Sequence, residues 1–234
     1  MAAVIPSAPG PTLLTVGNPI RPPFARRSDD SSKTEPPFDP QSWTGALIIM
    51  GAVGAVLWIV QIVNAADSYH LDRFGVRPRE IDGLWGVVTM PFLHSSYAHM
   101  FSNTVPLVLI GWVLLLSGLR TWVTVTALVV VGGGILTWLV APGHSLIVGA
   151  SGMIFGWLGY LLARAYFSRR LKWIVVAVLV LVFFGTLLFG LFPTLNSEVS
   201  WQAHVCGFVA GVGAGALLHP RGGETRLPRR TVVS

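Results

Sequence analysis

Residues 149–156 read Gly149-Ala-Ser151-Gly-Met-Ile-Phe-Gly156, and they open an apolar segment that runs to Phe167. The small neighbours of the serine allow another backbone to approach closely and leave the serine oxygen uncovered. Two structural roles compete with a catalytic one. The Gly-x-x-x-Gly spacing is typical of helix packing in membranes, and serine is a common helix cap. The stretch alone therefore leaves the role of Ser151 open.

The composition of the chain is that of a membrane protein. Of the 234 residues, 53% are hydrophobic and 11% are charged, whereas about 25% are charged in a typical soluble protein. Long apolar runs separated by short polar loops predict several crossings of a bilayer. The formal charge of +6 could suggest nucleic-acid binding, but the basic residues lie in loops and tails, as they do in membrane proteins. We therefore expect the lipid bilayer as a partner and no nucleic acid.

Hydropathy predicts an all-α polytopic membrane protein with six transmembrane helices. Each apolar segment is long enough to cross a hydrocarbon core ~30 Å thick at ~1.5 Å per residue. The predicted spans are 43–66, 92–117, 121–140, 147–167, 173–192 and 201–218. A long polar loop over 67–91 separates the first two spans and contains a few apolar residues.

Three regions follow from this division of the chain. Residues 1–42 are rich in Pro and Ser and offer no apolar face, so we expect a disordered N-terminal tail. Residues 43–219 form the six-helix domain. Residues 220–234 form a basic C-terminal tail.

The distribution of basic residues predicts the orientation in the membrane. Six spans put both termini on one side, and the opposite side then holds three of the 16 Lys and Arg residues, all in the first loop. The positive-inside rule places both termini in the cytoplasm. The second, fourth and sixth spans then run in the same direction, so the polar residues near their starts share one depth near the outer surface. These residues are His94, His99, Asn103, Ser151 and His204.

Polar side chains inside membrane spans are costly and are therefore candidates for function. Ser151 and His204 suit a nucleophile and a general base, because histidine titrates near neutral pH and can take the serine proton. His99 and Asn103 are four residues apart on one helix face, and both can donate hydrogen bonds to an oxyanion. The second, fourth and sixth spans contain no Asp or Glu. A hydrolase built from these residues would use a Ser-His pair without an acidic third member.

The same polar residues also suit roles without catalysis. Each histidine, and Asn103, could be a hydrogen-bond partner between helices. His94, His99 and His204 could bind a metal ion, but no carboxylate joins them and no HExxH sequence occurs; we expect neither a metal nor a cofactor. A transporter would show internal repeats, and none is evident. Three glycines spaced by four predict a close-packing seam, namely Gly207, Gly211 and Gly215.

Three motifs in this chain resemble those of the rhomboid family of intramembrane serine proteases. Residues 94–103, HSSYAHMFSN, are similar to the family's HxxxxHxxxN in the second helix. Residues 149–152, GASG, are similar to its GxSG at the start of the fourth helix, and residues 203–207, AHVCG, to its catalytic-histidine region in the sixth. The resemblance covers about residues 43–219. One four-residue motif would be weak evidence for the resemblance, but three motifs in the family's order are specific evidence for it.

The resemblance implies a rhomboid-like fold and a serine endopeptidase that cleaves transmembrane protein substrates within or near the bilayer. It implies that Ser151 is the nucleophile and His204 the general base. His99 and Asn103, with the backbone N–H of Ser151, would stabilise the oxyanion. Supporting roles are implied for four further residues, His94, Gly149, Gly152 and Phe155.

The family also supplies an alternative and two departures. The alternative is a catalytically inactive rhomboid-like protein that binds membrane proteins, which loss of the serine or histidine would mark; both are present here. Many members carry Trp-Arg in the first loop, where this chain has Trp85-Gly86, and the family often has Tyr at the position of Phe155. The resemblance to simpler bacterial members implies a bacterial plasma membrane. The oligomeric state is left open.

Overall fold

Six long helices form the fold in the computed structural model, which describes residues 39–193 and 200–219. The predicted tail over 220–234 and all but four residues of the tail over 1–42 lie outside the described residues. The helices are α1 (Trp43–Ala66), α2 (Tyr97–Leu115), α3 (Leu119–Val140), α4 (Ser151–Ser168), α5 (Leu171–Phe184) and α6 (Trp201–Leu218). A 3-10 helix over Gly185–Leu191 continues α5. Short helical turns fill the first loop: His70–Phe74, Ile81–Trp85, Gly86–Thr89 and Met90–Phe92.

Five of the six helices are long and apolar enough to cross a membrane: α1, α2, α3, α5 with its 3-10 extension, and α6. The chain is therefore a multi-pass membrane protein. The helix α4 is not among the five, although it is a helix of 18 residues at the place of the predicted fourth span. Its 18 residues include three glycines, two serines and Arg164. Twelve of the 18 are buried, so α4 lies among other helices, and an interior helix does not need a lipid-facing apolar surface.

Close packing of α4 against α6 determines how these two helices meet. A Cβ atom at Gly207 would overlap the carbonyl oxygen of Gly152, and a Cβ at Gly211 would overlap that of Gly156. A Cβ at Gly215 would lie 2.6 Å from the Cβ of Ala163. The glycine seam predicted for α6 is thus confirmed, because only small residues allow two helix backbones to approach this closely.

Two helices begin later than the hydropathy predicts. The helix α2 begins at Tyr97 rather than near residue 92, because Ser96 caps it: Ser96 Oγ accepts a hydrogen bond from the His99 N–H at 3.1 Å. His94 therefore lies in the linker before α2 and not on the helix. The helix α4 begins at Ser151 rather than near residue 147, because residues 147–150 form the turn that leads into it.

The first loop is attached to the connection between α3 and α4. Val76 and Ile147 form an isolated antiparallel bridge, with N–H to O distances of 2.9 Å in both directions. Arg79 donates hydrogen bonds to the carbonyl oxygens of Leu139 at 3.1 Å and Ala141 at 2.7 Å. These carbonyls lie at the C-terminal end of α3, where a cation is favourable. The loop is therefore held at both ends of the α3–α4 connection.

The departure at Trp85-Gly86 has a structural reason. A Cβ atom at Gly86 would overlap the backbone of Gly75 and Val76. No side chain, and hence no arginine, fits at that position of this chain. The arginine that contacts the α3–α4 connection in this structure is instead Arg79, seven residues earlier.

The orientation in the membrane stays a prediction, and cysteine accessibility tests it. In a variant with Cys206→Ala, we expect Ser68→Cys in the first loop to react with an impermeant thiol reagent added outside intact cells. Lys172→Cys, at the exposed start of α5, should react only after the membrane is permeabilised. The reverse pattern would contradict the positive-inside argument.

Candidate active site

Two helix starts bring a serine and a histidine into contact. Ser151 is the first residue of α4, and His204 lies one turn into α6. Ser151 Oγ and His204 Nε2 are 2.8 Å apart, which is hydrogen-bond distance. The imidazole of His204 is 7% exposed and stacks on Phe155, with ring centroids 4.2 Å apart and planes inclined by 16°. Because Phe155 lies one turn after Ser151, α4 supplies both the hydroxyl and the surface on which the imidazole packs.

The other imidazole nitrogen determines which tautomer fits the site. His204 Nδ1 lies 2.9 Å from the backbone carbonyl oxygen of Gly190, and a carbonyl oxygen only accepts hydrogen bonds. In the neutral ring Nδ1 therefore carries the proton, and Nε2 is free to accept a hydrogen bond from the Ser151 hydroxyl. This is the tautomer that can remove a proton from a serine.

The backbone that leads into α4 is held by the first loop and by His94. The Gly149 N–H donates to the carbonyl oxygen of Met90 at 3.0 Å. The Ala150 N–H donates to His94 Nε2 at 3.3 Å, and His94 is fully buried. Gly149 has φ +127°, which favours glycine, and a Cβ there would lie 2.8 Å from the ring of His99. His94 and Gly149 thus shape the turn before the nucleophile candidate.

Two hydrogen-bond donors line the same cavity as the serine. Asn103 is 6% exposed, and its Nδ2 has no hydrogen-bond partner within the part of the chain that the structure describes. A buried donor without an acceptor costs about 1–3 kcal/mol, so its presence favours a role in which a bound molecule supplies the acceptor. His99 lies one turn earlier on α2, and its ring meets that of His94 edge to face at 5.1 Å.

The cavity has a volume of about 250 Å³. Its walls come from α2, the turn before α4, the 3-10 helix after α5 and the start of α6. The cavity thus brings the serine hydroxyl and the candidate donors of His99 and Asn103 to one space that a single bound molecule can occupy.

The residues at 39–193 and 200–219 contain no group of three His, Cys, Asp or Glu side chains placed to hold one metal ion. The three histidines considered for a metal site are engaged differently. His94 Nε2 accepts from a backbone N–H, and both nitrogens of His204 have the partners described above. His99 Nδ1 lies 3.3 Å from Ser95 Oγ.

Two residues of the site were not predicted from the sequence. Gly190 contributes only a backbone carbonyl, and no residue type or spacing signals such a contribution. Ser200 lines the cavity and caps α6, with its Oγ accepting a hydrogen bond from the Ala203 N–H at 3.4 Å. A serine directly before an apolar helix is a recognised start signal, so Ser200 could have been found.

Comparison with known proteins finds one family model and several relatives. The sequence model of the Rhomboid domain matches residues 82–221. An uncharacterized protein of Mycobacterium tuberculosis is 41% identical over 171 residues, which cover 70% of this chain and 71% of the relative. RHOMBOID-like protein 5 of Arabidopsis thaliana is 29% identical over 148 residues, covering 59% of this chain and 46% of the relative.

A further relative is the Bacillus subtilis protein YdcA, whose name gives it provisionally as a rhomboid protease. It is 27% identical over 169 residues, which cover 68% of this chain and 81% of YdcA. The domain match extends over more than half of the chain and includes all the long helices except α1. The chain belongs to the rhomboid family.

Proposed function

We propose that this protein is an intramembrane serine endopeptidase that uses Ser151 as nucleophile and His204 as general base. The observation that carries the proposal is the hydrogen bond of 2.8 Å between Ser151 Oγ and His204 Nε2, combined with the acceptor at Nδ1 that keeps Nε2 unprotonated. A pair that served only to pack two helices would not need this tautomer. Membership of the rhomboid family supports the same function.

The reaction would begin with attack of Ser151 Oγ on the carbonyl carbon of a peptide bond, while its proton passes to His204 Nε2. Negative charge would then develop on the carbonyl oxygen of the substrate. The Asn103 amide, His99 and the backbone N–H of Ser151 would donate to that oxygen. The Ser151 N–H suits this role, because N–H groups in the first turn of a helix have no partner within the helix.

The substrate class follows from the membrane and from the chemistry of attack on a carbonyl. A protein that crosses the bilayer as a helix hides its carbonyl groups in internal hydrogen bonds. Ser151 Oγ can reach the carbonyl carbon of such a substrate only where the helix has unwound. We therefore infer that transmembrane proteins are cleaved where their helices unwind, within or near the bilayer.

An inactive protein that binds membrane helices is the alternative. Such a protein would explain the family membership, but it would not explain the hydrogen bond between Ser151 and His204. The experiment that separates the two is cleavage of a fluorescent transmembrane substrate by the purified protein in liposomes, with Ser151→Ala as the matched variant. The alternative predicts no cleavage by either protein and equal binding by both.

Asn103→Ala tests the oxyanion role. We expect kcat to fall by about 10²–10³, the usual effect of removing one such donor, because the charge develops only in the transition state. KM should change little and the melting temperature should not fall, since the Asn103 amide nitrogen has no partner to lose in the described residues. Steady-state kinetics and thermal unfolding of the same preparations provide the measurement.

Ser102→Ala is the matched control for the asparagine. Ser102 lines the same cavity, but its Oγ donates to the carbonyl oxygen of His99 at 2.8 Å. It should therefore turn over substrate at close to the wild-type rate. An Asn103→Ala protein that unfolds at lower temperature yet is fully active per folded molecule would show that Asn103 only packs.

A further inference from the structure

We propose that the backbone carbonyl of Gly190 is the third member of the hydrolytic site and makes activation of the serine depend on the position of residues 185–191. This inference rests on the proposed protease function and adds a positioning group and a regulatory element to it. The group comes from the 3-10 helix after α5 and not from α4 or α6, which carry Ser151 and His204.

The segment lies directly against the stacked rings. His204 Nδ1 is 2.9 Å from the Gly190 carbonyl oxygen. A Cβ atom added at Gly190 would lie 2.9 Å from Cζ of Phe155 and 3.1 Å from His204 Nδ1. Glycine at residue 190 therefore lets the carbonyl reach the imidazole without crowding the two stacked rings. The imidazole is thus held by three contacts from two elements: the Ser151 hydroxyl and the Phe155 ring on α4, and the Gly190 carbonyl on the 3-10 helix.

The element that carries this carbonyl is weakly attached to the protein. The helix α5 buries only Ala177 and Val180, and the 3-10 helix buries no residue completely. Leu187 and Leu188 are half-buried and pack against the main core. Segments with few buried apolar contacts open at a low free-energy cost. Residues 185–191 can therefore move more easily than α4, in which twelve residues are buried.

Movement of the segment would change the chemistry at the imidazole. When Ser151 Oγ bonds to the substrate carbon, its proton goes to Nε2, and the ring becomes a cation that the Gly190 carbonyl stabilises through Nδ1–H. The Nε2 proton then passes to the leaving amine nitrogen as the C–N bond breaks. Without the carbonyl, Nδ1–H loses its acceptor and the neutral ring can carry its proton on Nε2 instead. That tautomer cannot accept the serine proton.

The wild-type protein provides the first test. Nitrogen-15 NMR of histidine-labelled protein reports which ring nitrogen is protonated, and loss of the signal in His204→Gln assigns it. We expect Nδ1 of His204 to carry the proton, with its hydrogen shifted downfield by the bond to a carbonyl. A neutral His204 protonated on Nε2 would overturn the inference.

Three variants near the carbonyl form the second test, and the readout is the rate at which a fluorophosphonate labels Ser151. Gly190→Ala pushes the segment away and should slow labelling by about tenfold, the effect of losing one hydrogen bond of ordinary strength to the reacting group. Leu188→Ala loosens the segment at a point away from the cavity. It should slow labelling severalfold and weaken the downfield signal of the hydrogen on His204 Nδ1. Phe189→Ala is the control, because the Phe189 side chain is 74% exposed. This variant should change neither the labelling rate nor the downfield signal.

The outcomes separate this inference from the proposed function. If Gly190→Ala and Leu188→Ala both label at the wild-type rate, the carbonyl does not matter and the inference is overturned. If Ser151 is reactive and His204 has the other tautomer, only the inference fails. If Ser151 never reacts and no substrate is cleaved, the protease function fails, and the inference fails with it even when Nδ1 is protonated.

Discussion

We expect Ser151→Ala to abolish cleavage of a transmembrane substrate, with kcat reduced by about 10⁴-fold or more. The hydroxyl oxygen is the atom that would form the covalent intermediate, and among the described residues it is the partner of His204 Nε2. Cleavage of a labelled substrate in liposomes measures the loss. Labelling of the protein by a fluorophosphonate should disappear in the same variant.

His204→Ala should have an effect of similar size, because a serine at neutral pH is a poor nucleophile without a base. The double variant should lose little more than either single variant, since the two groups act as one unit. Melting temperatures of Ser151→Ala and the wild type should agree closely. Labelling of a different serine with Ser151 untouched, or cleavage by Ser151→Ala at a substantial rate, would contradict the assignment.

The second large effect is expected at the glycine seam between α4 and α6. Gly207→Val adds a side chain where even a Cβ overlaps the carbonyl oxygen of Gly152. Because two backbones are in contact, rotation of a side chain cannot relieve the overlap. Overpacking of this kind costs about 3 kcal/mol or more, which corresponds to a fall of about 6–12 °C in Tm for a protein of this size. Activity per folded molecule should also fall, because the displaced α6 carries His204.

Gly213→Val is the control for the seam. Gly213 lies in the same helix, and a Cβ there would meet nothing within 4 Å. Thermal unfolding in one detergent compares the two variants directly. Equal Tm values for Gly207→Val and Gly213→Val would show that α4 and α6 separate without cost, contrary to the packing described above.

Hydropathy predicted the number and order of the long helices because five of them face lipid along much of their surface. The fourth helix was predicted as well, although burial among other helices makes α4 less apolar than the other five. The starts of α2 and α4 were predicted too early. Ser96 caps α2 locally, and the bridge between Val76 and Ile147 holds the residues before α4 outside the helix. A serine cap is a recognised start signal, so the start of α2 could have been found, whereas the tertiary bridge leaves no trace in a hydropathy profile.

The side chains of the candidate site could be predicted because serine, histidine and asparagine are costly in a membrane and occur at recognisable spacings. What could not be predicted are contributions of the backbone and of distant loops. Every residue has a backbone carbonyl, so no residue type marks the contribution of Gly190 in the sequence. The contact of Arg79 with the end of α3 and the lack of space at Gly86 are likewise visible only in the folded backbone.

The placement of His204 in the last of the six helices has a consequence for biosynthesis. A ribosome makes the chain from the N-terminus, so α1 to α5 enter the membrane before the base of the proposed site exists. The nucleophile would then sit in the bilayer beside other newly inserted proteins with nothing to deprotonate it. Under the proposed activity, the protein can cleave neighbouring membrane proteins only after α6 has docked against α4. Unfinished chains would be harmless without any inhibitory segment.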